Sequence, residues 1–144
     1  MARASGGSVA VSRLPHAGGT LGPREVRSRL TTGELAAEQV VEIVVNATVL
    51  GLERSSRYVP TQLARPLNLL TQVGLDALVL TDDVVRRLTD ACAATGALVE
   101  ISEAWRSPSA QMVARLREAG VPMVAASDAR YAAEVGNWQY LRRL

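Results

Sequence analysis

The chain has 144 residues, 48% of them hydrophobic, a length and composition that suit one domain with its own core. Its formal charge is +2 at pH 7, every one of its 16 basic residues is arginine, and aromatic residues make up 3% of it. That balance argues against a nucleic-acid or membrane-surface partner and leaves no base-stacking platform. The single cysteine, Cys92, excludes an intrachain disulfide and a paired-cysteine metal knuckle, and the single histidine, His16, cannot supply a multi-histidine metal set.

Residues 1–22 are rich in Gly, Ser and Ala and show no period, so a flexible N-terminal tail is expected there, with His16 solvated in a loop. The tail lacks the apolar stretch of a secretory signal, and no apolar run approaches the ~18 residues of a membrane span, so a cytoplasmic location is the default. Pro23 suits the first turn of a short helix, "PREVRSRL". Thr31 and Glu34 then have the spacing of a capping box, opening a helix to about Arg54. The segment "VVEIVV" alone would pass for a strand, but the polar breaks at Glu38, Glu42, Asn46 and Glu53 are helical.

Tyr58 to Ala64 reads as a short strand that Pro60 confines to an edge or an irregular start, and "RPLNLL" as a turn or short helix. Thr81 caps "DDVVRRLTDACAAT" and Gly96 ends it, with Asp82 and Asp83 at the positive helix N-terminus. Val85, Leu88 and Cys92 form its inward stripe. Residues 97–102, "ALVEIS", form a strand with Val99 and Ile101 on one face and Leu98, Glu100 and Ser102 on the other. Ser107 and Pro108 open the next helix, Gly120 closes it, and Val121 to Ala126 form another strand. A last helix is expected from about Ala132 to the end, interrupted near Gly136 and anchored by Trp138 and Tyr140, while Met112 and Met123 fill the core.

From residue 82 the order is helix, strand, helix, strand, helix, which is an α/β fold with parallel strands and covering helices. In such folds the active groups gather at the carboxyl ends of the strands, where Glu100, Ser102, Ser127 and Asp128 stand. Glu100 and Asp128 suit a metal-ligand or acid/base pair. The same two residues suit equally a loop cap at Asp128 and an ion pair from Glu100 to Arg106 or Arg130. Trp105 either lines the mouth or packs beneath its loop. No phosphate loop and no dinucleotide-binding glycine motif occurs.

The stretch "LVEISEAWRSPSAQMVARLREAGVPMVAASDARYAAEVG" resembles the C-terminal part of the PHP (polymerase and histidinol phosphatase) domain. There a strand with a Glu-Ile pair is followed by a helix, a strand ending in Ser-Asp-x-His, and a Val-Gly. Upstream, "QLARPLNLL" is similar to the segment in which a family strand ends in His-Pro. The resemblance implies a distorted seven-stranded βα-barrel that binds two or three metal ions at its carboxyl-end mouth and hydrolyses phosphate esters. It places Asp128 on the family's metal-binding aspartate, and Arg130 and Arg65 where the family has histidine ligands. Glu100 matches a family glutamate, and the opening His-x-His motif has no counterpart.

A guanidinium offers only donors and ligates no cation, so Arg65 and Arg130 would repel a divalent metal and attract a carboxylate. Asp128 is then a leftover ligand position that Arg130 neutralises in an ion pair. A seven-unit barrel needs more than about 200 residues, so residues 23–144 are expected to be a partial, distorted barrel lacking its first βα units. Its open edge would be covered by self-association or by a partner chain. The leading expectation is a PHP-like module without metal-dependent phosphoesterase activity of its own and without a cofactor: a pseudoenzyme, truncated product or assembly module. The alternatives are a phosphoesterase completed by another chain, with Zn or Mn as the metal, and a module that holds a phosphate-type anion with Arg65 and Arg130. The candidate vestigial site comprises Arg65, Glu100, Trp105, Asp128 and Arg130, with Asp128 as the metal position.

Overall fold

A computed structural model describes residues 7–144. Strand β1 (Gly7–Val9) is followed by a hairpin of β2 (Leu14–His16) and β3 (Gly19–Leu21). These residues are not a tail. Leu14 and Leu21 are buried in the core, and β1 pairs in parallel with a central strand. The alternation Val9, Val11 was the available signal, masked by the surrounding Gly and Ser. The expected tail at residues 1–6 lies outside the described residues. Gly7 permits a close approach, because a Cβ there would sit 2.6 Å from Ser55 Oγ and 2.7 Å from Val59 Cγ2.

Helix α1 (Pro23–Thr32) has Pro23 in its first turn and ends at Gly33, whose left-handed φ of +80° lets its N–H reach the Leu30 carbonyl. Helix α2 (Ala37–Ser56) buries Val40, Val41, Val44, Val45, Thr48 and Leu52 along one stripe, and Thr48 returns its hydroxyl to the Val44 carbonyl at 2.8 Å. The capping box does not form. Thr31 lies inside the last turn of α1 and donates to the Arg27 carbonyl, while Glu34 pairs with Arg29 at 3.1 Å. Length and burial decide that "VVEIVV" is helical although its residues are β-branched.

Strand β4 (Thr61–Leu63) starts after Pro60 and leads to two short helices, α3 (Asn68–Gln72) and α4 (Asp76–Val79). Helix α5 (Asp82–Thr95) is capped by the Thr81 hydroxyl, which accepts from the Val84 N–H, and stops at Gly96 at φ +70°. It buries Val85, Leu88 and Cys92. Arg87 joins α5 to α2 through Glu42 at 2.7 Å. Strand β5 (Leu98–Ser102) precedes helix α6 (Ala110–Glu118), whose N-cap is Ser109, two residues after the expected start. Ser107 is instead tied to Ser102 by paired backbone hydrogen bonds. Strand β6 (Met123–Ala126) follows. The expected last helix is absent: the described residues after β6 form only the 3-10 turns Ala132–Glu134 and Leu141–Arg143. Backbone N–H groups of Tyr140 and Leu141 bond to the Glu103 carboxylate, and a hydroxyl bond from Tyr140 to the Pro108 carbonyl helps hold this segment.

The main sheet is parallel throughout, in the order β1-β4-β5-β6. Its four strands form an open sheet, not a closed barrel. Register places Val9, Leu63, Val99 and Met123 on the face that packs against the helices. Ser8, Gln62, Leu98, Glu100, Val124 and Ala126 share the other face, outside the hydrophobic core. No helix of the described residues is long and apolar enough to cross a membrane.

Substitution Leu14→Ala discriminates core from tail. It should cost about 2–5 kcal/mol in denaturant unfolding, whereas a change in a solvated tail stays within about 0.5 kcal/mol.

Candidate functional site

The strands of the main sheet point their carboxyl ends the same way, and the chain delivers polar residues at three of them. Arg65 follows β4, Glu100 and Ser102 lie on β5, and Asp128 follows β6. A cavity of about 420 Å³ is lined by Ser8 of β1, Ala64, Arg65, Glu100, Trp105, Asp128 and Ala129. Four of the five sequence candidates therefore meet there. The fifth, Arg130, lines an adjoining cavity of about 610 Å³ that shares Trp105 and Asp128 and adds Glu103, Arg106 and Glu134. Arg65 is not among the residues that line this second cavity.

Arg65, Arg106 and Asp128 all have a left-handed backbone, at φ +46°, +48° and +46°. For residues with a Cβ this conformation costs about 1–3 kcal/mol each, and the surrounding fold has to hold it. Two bonds supply part of that support: the Ser102 hydroxyl donates to Asp128 Oδ2 at 2.5 Å and accepts from the Trp105 N–H at 3.2 Å. Fully buried Ser102 thus joins the loop after β5 to the loop after β6. The N–H groups of Glu103 and Ala104 add backbone bonds to Ala126 and Ser127.

The expected Asp128–Arg130 ion pair is not formed. The Asp128 carboxylate turns to Ser102, while the Arg130 N–H donates to Glu134 at 2.8 Å. Glu100 pairs with neither Arg106 nor Arg130; the charges acting on it are Asp128 and Arg65. Partial burial raises the Glu100 carboxyl above its ordinary value, the Asp128 charge adds to the rise, and Arg65 opposes it. Glu103 is held below its ordinary value: desolvation raises it, but the N–H groups of Tyr140, Leu141 and Gln139 and the charge of Arg106 outweigh that. Trp105 is not packed under its loop. It is 42% exposed, and the Arg65 guanidinium lies 4.9 Å from its ring centroid, a cation–π geometry.

Glu100 and Asp128 offer two carboxylates and Ser8 a hydroxyl, but Arg65 places a fixed cation in the same cavity. Among the described residues, no group of three or more His, Cys, Asp or Glu side chains is placed to hold a metal ion. This donor set does not fit a two- or three-metal centre. His16 is not a free loop residue: it lies in β2, with Nε2 3.1 Å from Arg29 Nη1. Cys92 is buried, and burial pushes its thiol up to about 11, which leaves it unreactive at neutral pH. The sequence reading missed Ser8 and the linking role of Ser102. Their alternation with Val9 and Ile101 was the signal for both.

Comparison of the chain with family models, with curated proteins and with solved structures finds no match.

Two measurements check this arrangement. Glu100 contributes fully to stability while it is protonated in both states, and the contribution is lost as pH rises through its raised folded value. Glu100→Gln should therefore have a higher melting midpoint than the parent chain at pH ~7, with the gap closing by about pH 4. Ser102→Ala should cost about 1–3 kcal/mol in denaturant unfolding, because it strands the Trp105 N–H and releases Asp128.

Proposed function

We propose that this chain is a PHP-like α/β module whose mouth serves binding or assembly and does not by itself hydrolyse phosphate esters with metal ions. The observation that carries the reading is that a strand-end carboxylate, Asp128, and a guanidinium, Arg65, line the same cavity, at positions where the resemblance implies metal ligands. A phosphoesterase of that family uses its ions to activate water and to neutralise the phosphate, and an arginine in place of a histidine ligand removes a donor and adds repulsion. The parallel strands, their consecutive order in the sheet and the polar groups at their carboxyl ends support the architectural part of the reading. On this reading the distorted barrel is represented by a four-stranded segment, and a second chain or a second copy would cover its open face.

The test is metal content after reconstitution with Zn or Mn, with Asp128→Ala as the control, followed by phosphoesterase assay. The expected outcome is substoichiometric metal that the control leaves unchanged, and no turnover. Stoichiometric metal that disappears in Asp128→Ala would overturn the reading and restore a hydrolase.

A further inference from the structure

We infer that the cavity bounded by Arg65, Glu100 and Trp105 binds a small zwitterion of the α-amino-acid type. The inference rests on reading this mouth as a binding site without a catalytic metal. It starts from two charges that the fold leaves without partners. Arg65 makes no side-chain hydrogen bond or ion pair among the described residues; its guanidinium contacts the Trp105 ring instead. Glu100, half-buried on the uncovered face of β5, makes none either, although the charges of Asp128 and Arg65 both act on it. Both line one cavity of about 420 Å³, a size typical of small-molecule sites.

A fold that merely neutralised these charges would join them, as it joins Arg87 to Glu42 and Arg115 to Asp82. Here the opposite charges share a cavity without pairing. A molecule carrying both charges satisfies both walls. Its carboxylate takes the forked donors of Arg65, which suit bidentate recognition. Its ammonium donates to Glu100, with the exposed Ser8 hydroxyl on the same cavity as a further acceptor. The open surface of Trp105 receives the ligand's side chain.

Other occupants fit less well. A phosphate at Arg65 faces the charges of Glu100 and Asp128, and a bare divalent cation faces Arg65. Asp128 already accepts a hydrogen bond from the Ser102 hydroxyl. The left-handed backbone of Arg65 and Asp128 fixes both residues at the strand ends, which is where the strain of a binding site is commonly stored.

The experiment is thermal unfolding of the full chain with a panel of the common L-amino acids at about 10 mM. Each is compared with the amine and the carboxylate that share its side chain; for leucine these are isoamylamine and 4-methylpentanoate. Inorganic phosphate is run alongside. At least one amino acid should raise the midpoint by about 3 °C or more, neither half-molecule should do so, and Arg65→Gln and Glu100→Gln should each abolish the rise. No shift with any amino acid, an equal shift with the amine or the carboxylate alone, or a shift with phosphate only would overturn the site. These comparisons use the parent chain, so they stand even where a variant folds poorly. Metal content read on the same sample separates the two conclusions. Stoichiometric metal overturns the non-catalytic reading, whereas a metal-free chain that no amino acid stabilises overturns only the zwitterion site.

Discussion

Crossover between parallel strands that always steps the same way along the sheet is the constraint on which the rest of this molecule depends. The sheet order β1-β4-β5-β6 moves one way along the sheet with each return of the chain, so every crossover steps in the same direction. Helices connected in that way fall on one face. The apolar residues of each strand, Val9, Leu63, Val99 and Met123, are accordingly on that face, and their alternates are not. The same constraint brings all carboxyl ends to one rim. Arg65, Glu100 and Asp128 are distant in sequence and meet because their strands are adjacent and parallel.

The uncovered face has a different chemistry. Gln62, Glu100 and Ser8 lie beside Leu98 and Val124, so the face is mixed rather than apolar. Burial of Glu100 is partial there, and it raises the carboxyl above its ordinary value. A fully covered strand would have to pair that charge or lose it.

The rim itself is held by a small set of polar bonds. Ser102 sits at the end of β5 with no exposed surface and bonds to both neighbouring loops. Glu103, the next residue, collects the N–H groups of Tyr140 and Leu141 and fastens the C-terminal segment over the loop that leads into α6. These side-chain to backbone bonds take the place of the helical hydrogen bonds that the C-terminal residues do not make among themselves. They also explain why strained backbone at Arg106 and Asp128 persists: loops tied on both sides cannot relax to the commoner conformation without breaking several bonds together.

What the sequence determined by itself was local and periodic. The Thr81 cap, the Gly96 stop, the inward stripe Val85, Leu88, Cys92, and the alternation of Val99 and Ile101 with Glu100 and Ser102 all follow from interactions within a few residues. Parallel pairing of β5 and β6 followed from the helix between them. The tertiary structure decided the rest. It placed β1 in the main sheet and the hairpin's Leu14 and Leu21 in the core, because their partners lie far along the chain. It drew Asp128 to Ser102 and left Arg130 in the next cavity, because φ at Asp128 and the depth of Ser102 set the direction of the carboxylate more strongly than the i+2 arginine does. Charge complementarity along a sequence names candidate pairs. Which pairs form depends on the backbone that carries them, and that backbone is held by contacts made across the whole fold.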